Sequence, residues 1–297
     1  MTVRELKNHG ISELKNFSPS AELDTSCLMQ HKLNCTRTWL LLHANDNVSK
    51  EEEEWILQAL DKRKTGLPIA YLTNHKEFFG YDFYVTQKVL IPKPDTEILV
   101  ENAIKEIKEK SQCKICDMCT GSGCIGLSVF LALKNSGIEE KNLPFITFAD
   151  ISEDALEIAK YNAQKLAGDF LHHFSFVSTN LFSNINESFD FILTNPPYIP
   201  SKLVDELLTD GRNEPRLALD GDISPFGSDI TEQDGLGIIR HLIPQIKNHL
   251  TPDGVFFLET GEYNAVKSAE IAEKCGFKNV RIIKDLEGQL RVTTGSC

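Results

Sequence analysis

The sequence has no apolar run approaching the ~18–20 residues that a bilayer-spanning helix needs, so nothing in it reads as a membrane span. It has no excess of base either. Its 31 Lys and Arg face 43 Asp and Glu, a formal net charge of −12. A broad grip on bare DNA or RNA is thereby disfavoured, because phosphate binding depends on Lys and Arg. Internal repeats and long low-complexity stretches are missing. The first residues, MTVRELKNHGISELKNF, hold no apolar stretch of signal-peptide length, and Glu5 and Glu13 are unlike an organelle transit peptide. A cytoplasmic location is the expectation.

What is present is ordinary core material. Hydrophobic residues make up 41% of the 297 and charged residues 25%, enough to bury a core in about two domains. Eight cysteines are expected to be reduced thiols, since a chain of this size needs no disulfide staples. Cys113, Cys116, Cys119 and Cys124 lie close to an iron–sulfur spacing. They fall, however, across a buried strand, a glycine turn and an apolar helix. A stiff strand would send Cys116 and Cys119 to opposite faces, so core packing is expected and no metal.

The rhythm changes along the chain. Residues 1–75 read as helical, with Ser49 as N-cap of EEEEWILQALDKRKTG, acids in its first turn, bases in its last and Gly66 beyond its end. FFGYDFYVTQKVLI (78–91) alternates aromatic and β-branched positions like a short β-hairpin or two paired strands, and 76–95 is expected to link two domains. After that, strands alternate with helices. Strands are expected at 114–118, 145–149, 173–178, 189–194, 254–260, 278–284 and 289–294. Helices are expected at about 96–110, 123–134, 152–167, 234–250 and 262–275. Such alternation predicts a mostly parallel sheet covered on both faces over 96–297. Up to Pro92 there are 11 basic and 12 acidic side chains, against 20 and 31 after it, so the acidity sits in the larger part.

Chemistry is expected at the strand ends. KICDM runs into CTGSGC, where Gly121 and Gly123 let the backbone approach a ligand, although the full G-x-G-x-x-G spacing is absent. FITFAD ends in Asp150, placed where a carboxylate can hold a ribose diol; a plain helix cap at Asp150 or Ser152 is the competing role. FSFVS runs into Thr179, Asn180 and Leu181, which suit an adenine edge and face, or simply a loop. FDFILT ends in Asn195-Pro196-Pro197-Tyr198. Two prolines fix φ and remove two donors, leaving carbonyls free. The Asn195 oxygen and the Pro196 carbonyl can accept both N–H bonds of a planar NH2 group, with Tyr198 against its plane.

Asn-Pro-Pro-Tyr in this setting resembles the S-adenosylmethionine-dependent methyltransferases that modify planar nitrogens. The wider chain resembles the HemK-type peptide chain release factor glutamine N5-methyltransferases, through GLPIAYLTNHKEFFGYDFYV, VLIPKPDTEILV, DMCTGSG, FADISEDALEIAKYNA, FDFILTNPPYI, NEPRLALDG, GVFFLETG and DLEGQLRVTTG. Lys93, Asp95, Cys119 and Thr260 depart from the usual pattern, and DISPFGSDITEQ (222–233) is an extra stretch. The resemblance implies an α/β, Rossmann-like seven-stranded methyltransferase sheet, with a small N-terminal helical domain joined by a β-hairpin. It implies S-adenosyl-L-methionine as cofactor, with Cys119, Thr120, Gly121, Ser122 and Gly123 along its methionine part, Asp150 at its ribose, Asn180 and Leu181 at its adenine, and Asn195 also among the cofactor-binding residues. Asn195, Pro196, Pro197 and Tyr198 would hold the substrate glutamine, with Asn195, Pro196 and Tyr198 as the catalytic set. The partner would be a release factor, docked with help from residues 1–75, with no direct nucleic acid and no membrane. A nucleic-acid adenine methyltransferase shares the tetrapeptide but should bring a basic surface. A non-catalytic docking module would not need it.

Overall fold

The computed structural model describes residues 1–209, 213–223 and 232–297, so most of the extra stretch 222–233 lies outside the described residues. Two compact units divide it: Met1–His75 with Glu206–Asn213, and Lys76–Asp205 with Glu214–Cys297.

In the first unit, helices α1 (Val3–Leu14), α2 (Ala21–Leu33), α3 (Arg37–Leu42), α4 (Lys50–Lys64) and α5 (Ile69–Thr73) surround a core that includes Leu6, Leu14, Leu28, Met29, Ile56 and Leu60. The start of α4 follows from its sequence. Ser49 Oγ accepts the Glu52 N–H and the Glu52 carboxylate reaches back to Ser49, a reciprocal capping box. Three acids in the first turn and three bases in the last favour the helix dipole.

The second unit begins with a hairpin, β1 (His75–Phe78) and β2 (Tyr81–Tyr84), His75 itself belonging to the first unit. The hairpin is shorter and earlier than the 78–91 expected. Phe79 and Gly80 make the turn, both at positive φ (51° and 77°), and residues 85–91 form no strand. Next come α6 (Glu97–Ile107), β3 (Lys114–Met118), α7 (Cys124–Asn135), β4 (Phe145–Asp150), α8 (Glu153–Ala167), β5 (Phe174–Ser178), β6 (Phe189–Thr194), α9 (Ser201–Leu208, its residues from Glu206 on counted in the first unit), α10 (Gly237–His249), β7 (Leu250–Glu259), α11 (Glu262–Lys274), β8 (Lys278–Lys284) and β9 (Leu290–Ser296). The expected strands and helices recur with shifts at their ends; α9 was not anticipated.

Seven strands form one sheet in the order β5-β4-β3-β6-β7-β9-β8. All neighbours are parallel except β9, which runs antiparallel to both β7 and β8. Residues alternate between two apolar layers. Ile115, Phe191 and Phe257 join α6 and α7 residues on one face, while Cys116, Ile192 and Phe256 join α10 residues on the other. Strand order reverses between β3 and β6, so the crevice above their carboxyl ends is the expected ligand position.

Candidate active site

A cavity of about 340 Å³ opens at that switch point. Its volume falls in the range of small-molecule sites. Its walls come from the carboxyl ends of four adjacent strands: Cys119, Thr120, Gly121 and Ser122 after β3, Asp150 ending β4, Thr179, Asn180 and Leu181 after β5, and Asn195 and Pro197 after β6. Of the residues singled out from the sequence, Gly123, Pro196 and Tyr198 do not line it.

The glycine loop is held by its own backbone and by two carboxylates. Asp117 Oδ2 accepts from the Thr120 hydroxyl (2.7 Å) and the Gly126 N–H (3.0 Å). Full burial pushes its carboxyl up to about 7, and Oδ1 has no partner. Gly121, at φ 55°, donates to Asp150 Oδ2 (2.9 Å), and a Cβ built on it would meet open space. Gly123, at φ 80°, lies against α8, where a Cβ would come within 3.3 Å of the Ala159 methyl.

Asp150 therefore has a structural duty. Its other oxygen accepts the Ser152 N–H (2.9 Å), while Ser152 itself caps α8 by accepting from Ala155. Each Asp150 oxygen keeps acceptor capacity, and the residue borders the cavity. Burial raises its pKa against those backbone hydrogen bonds.

Cys119 was expected on the opposite face from Cys116. Instead both pack in the same apolar layer, because the chain leaves β3 after Met118 and Cys119 takes φ 60°. That conformation favours glycine and is strained for a side-chain-bearing residue. Cys113 and Cys124 lie in the other layer, so the four sulfurs are split across the sheet. Burial raises all four thiols, Cys113 and Cys124 to about 12.

At the end of β6 the arrangement is different. Pro196 and Pro197 are buried and stiffen the turn. Among the described residues no donor reaches the Pro196 carbonyl or the Asn195 Oδ1. The Tyr198 carbonyl, in contrast, is engaged by Asn264 Nδ2 at 3.2 Å. The Tyr198 ring packs with the apolar layer, and its hydroxyl is raised by burial and by the nearby Glu259 charge. Ile199 bonds both ways with the Leu219–Gly221 segment, anchoring the turn. Asn195 Nδ2 donates to Thr96 Oγ1 (3.2 Å).

Several supporting residues were not visible as such in the sequence. Thr96 and Glu259 stood inside quoted motifs without a role. Asn162, buried in α8, donates to the Ser122 and Tyr84 carbonyls (2.9 and 3.0 Å) and accepts from Tyr84 N–H (2.8 Å), tying hairpin to glycine loop. Glu214 accepts from Lys93 Nζ (2.8 Å) and Ile91 N–H (3.3 Å), holding the segment before α6. Arg291 joins Asp95 and Asp285, each at 3.0 Å.

Two family models match the chain, the PrmC N-terminal domain over residues 5–73 and the methyltransferase small domain over 94–213. Among curated proteins, the release factor glutamine methyltransferase of Borreliella burgdorferi is 32% identical, covering 95% of this chain and 92% of that protein. The protein of the same name from Clostridium botulinum is 34% identical, covering 98% of each. Matches this long, at this identity, place the chain by descent: it belongs to the release factor glutamine methyltransferase family.

Proposed function

We propose that this chain, as a member of that family, transfers a methyl group from S-adenosylmethionine to the side-chain amide nitrogen (N5) of the glutamine in the Gly-Gly-Gln loop of peptide chain release factors. The observation that carries the reading is the pair of unclaimed oxygens, Asn195 Oδ1 and the Pro196 carbonyl, on a stiff turn beside the cavity.

The cavity's chemistry fits the cofactor. Gly121 lets the backbone turn at φ 55° along the cavity wall, Asp150 offers acceptors for ribose hydroxyls, and Leu181 offers an apolar wall beside Asn180 for a purine. Cys119 to Gly123 would flank the methionine part. When bound, the cofactor supplies an electrophilic methyl on a sulfonium that departs as a neutral thioether.

An amide nitrogen is a poor nucleophile, since its lone pair is delocalised into the carbonyl. The protein's work is therefore alignment and charge stabilisation. Asn195 Oδ1 and the Pro196 carbonyl accept the two N–H bonds of the glutamine amide, fix its plane and raise electron density on nitrogen. As nitrogen becomes positive, the same two oxygens stabilise it. A nitrogen-protonated amide is a strong acid, so no histidine or lysine base is required. Tyr198 supports the turn against the apolar layer while Pro197 meets the cavity wall.

Residues 1–75 are assigned to docking the release factor and 76–95 to linking the two parts. Bare nucleic acid and membrane have no place in this reading, given a net charge of −12 and, among the described residues, no helix long and apolar enough to cross a membrane. Its place of work is the cytoplasm, where release factors act and thiols stay reduced. Incubating enzyme and cofactor with a release-factor peptide and reading it by mass spectrometry tests the proposal. One added methyl on the loop glutamine is expected, and an unmodified glutamine would overturn it.

A further inference from the structure

At the amino ends of the central strands, opposite the cavity described above, three metal-ligating side chains come together. Glu140 begins a short 3-10 turn (Glu140–Asn142) just before β4, and His172 and His173 close another (Gly168–His173) just before β5. β4 and β5 are parallel neighbours, so both turns lie at the same end of the sheet. Each of the three residues offers one ligand atom, and these atoms lie within 4.8 Å of one another. His172 Nε2 is 3.2 Å from Glu140 Oε1, and the two imidazole rings are 4.5 Å apart. Both histidines line a separate cavity of about 220 Å³ together with Thr147 and Ser175, which gives an ion and its water a way in.

We propose that Glu140, His172 and His173 form a binding site for one divalent transition-metal ion, zinc by preference, bridging the turn before β4 and the turn before β5. The inference is independent of the methyl-transfer reading. The donor set speaks first. Two imidazoles and one carboxylate suit zinc and its neighbours in the first transition row, whereas magnesium and calcium take oxygen ligands. The spacing agrees. Ligand atoms ~2.0–2.2 Å from a tetrahedral zinc stand about 3.4 Å from one another, close to the 3.2 Å already found between His172 and Glu140. The other two edges of the triangle need shorten by no more than about 1.4 Å each. Glu140 and His172 are exposed side chains, free to turn by that much.

His173 is the fixed member. It is 5% exposed, its ring stacked on Phe145 (centroids 4.9 Å) and packed against Phe130 (5.4 Å). Its Nδ1 lies 3.1 Å from the Pro144 carbonyl. A carbonyl only accepts, so Nδ1 carries the hydrogen and Nε2 of the neutral ring keeps its lone pair. A ring N–H held by a carbonyl is the arrangement that orients histidine ligands in metal sites generally. One buried ligand is thus set in advance and two exposed ones close on the ion, with water in the fourth position. The four clustered cysteines take no part, since they pack in the two apolar layers of the sheet.

The test uses the full chain, stripped with EDTA and then titrated with Zn²⁺ by calorimetry and with Co²⁺ by absorption. One ion per chain should bind at micromolar concentration or below. His172→Ala and Glu140→Ala should each weaken binding by more than about 10-fold, the scale on which even the supporting partners of metal ligands act. His9→Ala, which removes an exposed histidine of α1, should leave it unchanged. The cobalt spectrum should be that of nitrogen and oxygen ligands, without the intense charge-transfer band of a thiolate. His173 is buried and its alanine variant can fail to fold, so the two exposed ligands decide. Absence of saturable binding, binding only at millimolar metal, unchanged affinity in either the His172 or the Glu140 variant, or a thiolate band would each overturn the inference.

Discussion

The two ends of the cavity are built by different means. After β3 and β4 the backbone forms the wall: glycines at positive φ bring the chain close, and Asp117 and Asp150 are largely occupied in accepting N–H and hydroxyl groups of the loop itself. After β6 the prolines have removed backbone donors, and the Asn195 carboxamide is held by Thr96 Oγ1, far away in sequence. The first end is shaped by backbone. The second holds one polar group in one orientation.

Four measurements break or sharpen that contrast. The largest effect is expected from Asn195→Ala, which should lower methyl transfer about 10³-fold, the scale of removing a key preorganised polar contact. Cofactor affinity should be retained, because the other end of the cavity is untouched; loss of both together, by kinetics and calorimetry, would merge the two ends into one. Next is a pH effect on stability. Burial holds the Glu259 proton up to about 7 in the folded protein, whereas an ordinary glutamic acid loses it near 4.5, so this group's stabilising share falls as pH rises through that window. Glu259→Gln removes the fall and should gain up to about 3 kcal/mol on the wild type across it. Denaturant titrations on either side of the window check this, and a constant difference would remove the charge penalty.

Asp150→Ala should weaken cofactor binding by roughly 1–3 kcal/mol, the cost of stranding hydrogen-bonded groups, and unchanged affinity by calorimetry would leave Asp150 as a loop staple alone. The smallest effect belongs to Cys119→Gly. Relief of a left-handed conformation at φ 60° offsets the extra chain entropy of glycine, so a gain of at most about 1 kcal/mol in unfolding free energy is expected. A clear loss would show that Cys119 packing outweighs its backbone strain.

The same contrast explains what could be read from the sequence. The strands before Cys119, Ile151, Thr179 and Asn195 announced themselves as short apolar runs, and Ser49 announced α4 by a local pattern. The glycine loop was legible because its signal lies within a few residues. The hairpin was misplaced because Phe79-Gly80 is not a usual turn pair, and the aromatic alternation runs on past the turn. The Cys119 face was misread because the strand was extended one residue into a left-handed turn. Glu259 and Thr96 carried no legible signal: their meaning arises from the neighbouring positions of β6 and β7 and from the start of α6, which only the folded sheet brings together.

The Cys119 thiol adds one more consequence. Cys119 lines the cavity proposed to hold S-adenosylmethionine, an alkylating agent. A thiolate there would compete with the intended acceptor and inactivate the enzyme by modifying its own wall. Burial among apolar neighbours raises that thiol's pKa, so at neutral pH the sulfur stays protonated and a poor nucleophile, disarmed in the wall of the proposed methyl-donor site.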